Sequence, residues 1–149
     1  MSASDGLAVA LAATGGIAGS VQVAVMGRFG DRIGTFEALA FATAVQVVVT
    51  VAALLVVRRS LAGFAHGAHQ PSWMWIGGLM GALIVFSVTF AAPRIGAAAT
   101  IGLIIAGQLV MGAAIDRWGL FGLDRIPIGW PRLLGLALLA AGAALSLKK

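Results

Sequence analysis

Three glutamines are the side chains best placed to handle a solute, because Gln22, Gln46 and Gln108 each fall inside a long apolar run. A carboxamide offers two N–H donors and one acceptor oxygen, and leaving it unpaired in hydrocarbon is costly. Thr43, Gln46 and Thr50 stand at i, i+3 and i+7, on one side of a helix, so that side should face inward. The three amides either line a polar cavity and hydrogen-bond a small solute, or hydrogen-bond neighbouring helices, a role worth about 1 kcal/mol. Glu37 is a candidate for binding a proton or cation. It lies only about one turn inside its run, though, and nine residues from Gln46 is about 180° around a helix. A carboxylate in a first helical turn is also stabilised by the helix dipole alone. Asp116, at the end of a run, opposes the dipole and calls for a partner such as Arg117 or Arg94.

The remaining candidates are weaker. His66-x-x-His69 supplies two imidazoles where a metal would want more, so it reads as part of an exposed loop. Trp73, Trp75, Trp118 and Trp130 all fall at the ends of apolar runs, where aromatic belts sit at headgroup level. Trp75 alone is also a candidate for stacking on an organic cation. Without a cysteine the chain has no thiolate metal site and no thiol nucleophile. No metal triad, nucleophile–base pair or phosphate-binding glycine loop is visible, so no cofactor or metal is expected and an enzyme is the least favoured class.

The elements that must position these residues follow from composition. Of 149 residues, 60% are apolar and 10% charged, whereas a soluble domain is about a quarter charged. A helix needs roughly 20 apolar residues to cross a bilayer. Five windows pass or nearly pass, at 7–26, 33–57, 73–92, 95–115 and 131–147. The only charges in them are Glu37 and Arg132. The fold class is therefore an all-α membrane protein with five transmembrane helices in one domain. Pro93-Arg94 is read as a two-residue link between the third and fourth helices, and 116–130 as a segment lying on the interface. The first run lacks a preceding basic residue and continues to Met26, so it is read as a retained span, not a cleaved signal.

Five spans place the termini on opposite sides and allow the basic residues to be sorted. Arg58, Arg59, Arg117, Arg125 and Arg132 fall on the side of the N-terminus, and Arg28, Arg32, Arg94, Lys148 and Lys149 on the other. Because Lys/Arg bias sets orientation, an even division leaves none preferred, and the expected outcome is dual topology. The alternative is that one basic cluster dominates or an insertion factor decides. Two orientations can pair antiparallel, giving from identical chains the inverted symmetry that many transporters carry internally. The net charge of +5 points to phospholipid headgroups and not to nucleic acid. Small residues let helices approach closely in lipid. Gly15-x-x-x-Gly19, Gly77-x-x-x-Gly81 and the Ala98, Gly102, Ala106 stripe are read as packing within the chain, and Gly135 and Gly142 share one face of the fifth helix.

Several segments together resemble a known family. They are Gln22-Val23-Ala24-Val25-Met26-Gly27-Arg28-Phe29-Gly30, Trp75-Ile76-Gly77-Gly78-Leu79-Met80-Gly81, Pro93-Arg94-Ile95-Gly96-Ala97-Ala98, and Ala106-Gly107-Gln108-Leu109 leading to Ile115-Asp116-Arg117-Trp118-Gly119-Leu120-Phe121-Gly122. With Arg132 and Gly135, nearly the whole chain resembles the half-size, YdcZ-like members of the drug/metabolite transporter superfamily. Met26 departs from the pattern, which would have Asn. The resemblance implies a five-helix unit equal to half of a ten-helix transporter, working as an antiparallel pair with Gly135 and Gly142 at the dimer seam. It carries no substrate with it.

The function expected is a secondary transporter, an exporter of a small organic solute from a bacterial inner membrane. It would act as a dual-topology antiparallel homodimer by alternating access. Gln22, Gln46, Gln108, Glu37 and Trp75 are the substrate-side candidates, with a proton or cation as a possible coupling partner. The alternatives are a dual-topology ion channel and a non-transporting membrane subunit that pairs with another protein.

Overall fold

The computed structural model describes residues 3–146, and among them every regular element is helical. In chain order these are α1 (Ala3–Ile33), α2 (Thr35–Arg58), α3 (Ala62–Ala68), a 3₁₀ turn (Ser72–Trp75), α4 (Ile76–Ile95), α5 (Ala97–Trp118), a second 3₁₀ turn (Leu120–Gly122) and α6 (Trp130–Ser146). Four apolar stretches, centred on α1, α2, α4 and α5, are long enough to cross a membrane. The fifth, α6, is shorter at 17 residues, about 25 Å of helix. Leu147, placed at the end of the fifth window, and Lys148 and Lys149, used in sorting charge, lie outside the described residues.

Two connections expected from sequence are absent, for one reason. The first helix does not stop at Met26 but runs on through Arg28, Asp31 and Arg32, and only Gly34 breaks it. Charged residues outside the hydrocarbon do not disfavour a helix, whereas Gly34 takes φ 102° and ψ 150°, a backbone region essentially reserved for glycine. Likewise Pro93 and Arg94 are not a link. They lie inside α4, and Gly96 alone, at φ 87° and ψ 155°, joins it to α5. At both joints the glycine N–H bonds back four residues, Gly34 to Gly30 and Gly96 to Ala92. The carbonyl of each then accepts from four residues on, Ala38 and Thr100. Each joint thus breaks the direction of the chain while satisfying its own backbone groups.

The helices divide into two compact units, residues Val25–Phe90 forming one, and the described parts of Met1–Ala24 and Ala91–Lys149 the other. Within Val25–Phe90, Phe29 meets Phe41 edge to face with ring centroids 5.6 Å apart. Phe86 sits 5.4 Å from Phe36 and 6.0 Å from Phe90. Such aromatic pairs add about 1 kcal/mol beyond the area they bury. The backbones of α1 and α4 come close at Gly30, where an added Cβ would stand 2.5 Å from Cγ2 of Thr89 and 3.4 Å from its carbonyl oxygen. That carbonyl lacks its helical donor four residues on, because residue 93 is proline. The Thr89 side chain is 1% exposed, and its hydroxyl donates to the Val85 carbonyl at 2.7 Å.

The other unit is organised by α5 and α6. Gly102 lets the backbone of Ala143 approach to 3.4 Å of where its Cβ would be, as expected for a small-residue stripe in lipid. Beyond α5, Gly119 closes the helix in the left-handed region, its N–H bonding to the Ile115 carbonyl. The segment read as interfacial is a short 3₁₀ turn followed by extended chain, tied back by the Ile126 N–H donating to the Asp116 carbonyl at 2.9 Å.

Candidate functional site

Gln22, Gln46 and Gln108 lie on α1, α2 and α5, and all three are exposed. None of the three carboxamides is hydrogen-bonded to another described residue. The side of α2 expected to look inward is open along its length, for Thr43, Gln46 and Thr50 are all exposed. The Thr50 hydroxyl donates only to backbone carbonyls of its own helix, Gln46 at 2.7 Å and Val47 at 3.2 Å. The role of interhelical glue is therefore unfilled inside each unit.

Glu37 occupies the first turn of α2 and folds back over the joint, so that a Cβ added to Gly34 would lie 2.2 Å from one of its carboxylate oxygens. The first turn of a helix is where a negative charge is favoured by the dipole, without any capping hydrogen bond from Glu37. Trp75 is 56% exposed, and its indole N–H donates to the Gly67 carbonyl at 3.4 Å, which fastens the start of α4 to α3. Within the Val25–Phe90 unit no two of Gln46, Glu37 and Trp75 are hydrogen-bonded to each other, and within the other unit Gln22 and Gln108 are not. Inside the Val25–Phe90 unit, Glu37 and Gln46 stand nine residues apart on one helix, which turns them to opposite sides.

The glycine faces of α1 and α4 are open inside their own units. A Cβ added at Gly15, Gly19, Gly77 or Gly81 would meet nothing within 4 Å, so neither stripe packs against a neighbour inside its own unit. Only the α5 stripe does, through Gly102 against Ala143. Gly135 and Gly142 also look onto open space. Beside Gly142 runs an apolar groove of about 230 Å³ between α5 and α6, lined by Ile105, Leu138, Leu139 and their small neighbours. Its one hydroxyl, on Ser146, is spent on the Ala143 carbonyl at 2.7 Å.

One contact was assigned to the wrong partner by sequence. Asp116 pairs not with Arg117 or Arg94 but with Arg132 at the start of α6. Each charge opposes the dipole of its own helix, an acid at the C-terminus of α5 and a base at the N-terminus of α6. Each therefore offsets the other's penalty, and both remain partly exposed at 26% and 38%. The sixteen-residue separation hides this pair from any helical-spacing argument. His66 and His69 lie at the end of α3, and no group of three metal-ligating side chains exists among the described residues.

Comparison with known proteins matches residues 7–145 to one family model, described as "Putative inner membrane exporter, YdcZ". Neither the curated proteins nor the solved structures returned a match. Helices of membrane-crossing length and a match over almost the whole chain agree with one another. The chain is a multi-pass inner-membrane protein of the YdcZ exporter family, a family of transporters and not of enzymes.

Proposed function

We propose that the protein is a secondary exporter of a small organic solute, acting by alternating access as an antiparallel homodimer of two chains inserted in opposite orientations. The observation that carries this reading is that three carboxamides and several glycine faces at membrane depth are uncovered. Gln22, Gln46 and Gln108 are unpaired, and Gly15, Gly19, Gly77, Gly81, Gly135 and Gly142 have nothing within 4 Å of where a Cβ would stand. Lipid satisfies neither, since it offers carboxamides no hydrogen bonds and glycine faces no close packing. A second copy supplies the packing, with Gly135 and Gly142 at the seam. A hydrated cavity between the copies receives the amides and the solute. The five-and-five division of basic residues removes the preference that would hold all copies one way up. Trp75 stands at the mouth of the path. Glu37, folded over Gly34, serves the start of α2.

Single cysteines introduced at each terminus test the arrangement, because the chain has no native thiol. Equal labelling of either end from outside the cell is the expected result, and labelling of one end only would exclude dual topology. Efflux from liposomes containing the purified protein tests transport. A saturable flux is expected, whereas a fast flux that does not saturate would identify a channel.

A further inference from the structure

The chain contains a gapless repeat. Residues 15–52 laid on residues 77–114 match at eleven of 38 positions, all 62 residues apart. Gly15-Gly16 and Gly19 fall on Gly77-Gly78 and Gly81, Arg32-Ile33-Gly34 on Arg94-Ile95-Gly96, and Gln46 on Gln108. The structure repeats with the sequence. Gly34 and Gly96 are the two one-residue joints with matching backbone angles. Met26 and Val88 are equivalent and both buried, as are Ala38 and Thr100.

Almost all polar side chains within the first copy are lost in the second. Gln22 becomes Ile84, Glu37 becomes Ala99, Thr43 becomes Ile105 and Thr50 becomes Gly112. Gln46 is kept. Each carboxamide, Gln46 and Gln108, stands twelve residues beyond its glycine joint, about 18 Å along the helix and so well inside a hydrocarbon core of about 30 Å. Both are exposed and unpaired. An amide that merely filled space would be replaced as freely as the threonines around it, since unpaired it is the costlier group.

Charge then restricts what each amide can bind. Residues 6–27, 38–57, 70–93, 95–115 and 133–146 contain no Asp, Glu, Lys, Arg or His. An ion at the depth of the two amides would meet no counter-charge, and an uncompensated charge in the bilayer interior is expensive. A carboxamide instead matches a neutral group that both donates and accepts. Building on the transport reading above, we infer that Gln46 and Gln108 are two copies of one recognition position, and that the solute is an uncharged molecule bearing hydrogen-bond donors and acceptors.

The test uses the full chain in liposomes and two sets of related probes that differ in charge. They are nicotinamide, nicotinate and 1-methylnicotinamide, and N-acetylglucosamine, glucuronate and glucosamine. Saturable uptake of an uncharged member is expected, with its charged counterparts excluded. Gln46→Leu and Gln108→Leu should each weaken that uptake about tenfold, the worth of one hydrogen bond. Gln46→Glu and Gln108→Glu should each turn preference toward the cationic member of the set, a change that a purely structural amide would not produce. Preference of the wild type for a charged member, or an effect at one position and none at the other, overturns the inference while leaving transport intact. No saturable uptake of any probe overturns the transport reading and this one with it.

Discussion

At Gly34 and Gly96 the backbone turns through nearly the same angles and closes the same pair of hydrogen bonds, yet the surroundings differ. Beside Gly34 the carboxylate of Glu37 fills the space a side chain would take, whereas beside Gly96 nothing lies within 4 Å. The equivalent of Glu37 is Ala99. The joint itself thus needs only a glycine, and the acid is an addition to one copy. The comparison separates what shapes the helix pair from what decorates it.

The largest effects should come from the joints. Gly34→Ala and Gly96→Ala each force a Cβ into a backbone region that glycine alone tolerates, at a cost of about 1–3 kcal/mol. Gly34→Ala should cost more, because it also displaces Glu37 from the helix start, which is worth a further ~0.3–1 kcal/mol. In a Glu37→Ala background the two joint variants should become equal, as read by unfolding of the purified protein in detergent. An unchanged gap would show that Glu37 is not what distinguishes the joints.

Next comes the close approach four residues before the first joint. Gly30→Ala would place a methyl 2.5 Å from Cγ2 of buried Thr89, and such overpacking costs about 1–3 kcal/mol. Thr89→Ser, which removes that methyl and keeps the hydroxyl, should restore much of the loss. The equivalent position in the second copy already carries a methyl, as Ala92. Ala92→Gly should therefore cost about 1 kcal/mol in helix propensity and the packing of one buried methyl besides, with no clash to relieve. A Gly30→Ala variant as stable as the wild type would mean that α1 and α4 do not meet there.

The Asp116–Arg132 pair has no equivalent near the end of α2, where Leu54 stands in register with Asp116. Asp116→Asn should lower stability by about 1 kcal/mol, the upper range for a partly exposed pair. The loss should shrink in high salt, because screening weakens exposed charges. A loss indifferent to salt would assign the effect to the tied-back loop and not to the charges.

How much of this was legible beforehand depends on the kind of signal. The long apolar runs alone foretold an all-helical membrane chain, since run length is local and large. The helix ends were missed because charge was read as a boundary. Arg28 to Arg32 and Pro93-Arg94 stay helical, and the break waits for a glycine whose special angles hydropathy does not register. Asp116 was rightly seen to need a partner, but Arg132 comes from a separate helix, and only tertiary structure chooses among basic residues. The repeat was present in the residues throughout. It emerges only when the chain is compared with itself, because Ala, Val, Leu and Gly exchange so freely in lipid that similarity of character conceals identity of position.

The smallest predicted effect concerns the one acid among the candidates. Glu37→Gln keeps the shape over Gly34 and removes the charge, so stability should fall by only a few tenths of a kcal/mol, the interaction of an exposed carboxylate with a helix start. If that is its whole task, uptake of solute driven by a pH gradient in liposomes should be as steep in the variant as in the wild type. The physical grounds are its place in the first turn, half a helical circumference from Gln46, and its absence from the second copy, where Ala99 closes an equivalent helix start. Loss of pH-driven uptake with stability intact would reverse the assignment and make Glu37 the proton-binding group. The first copy would then carry the coupling that the second has no residue to provide.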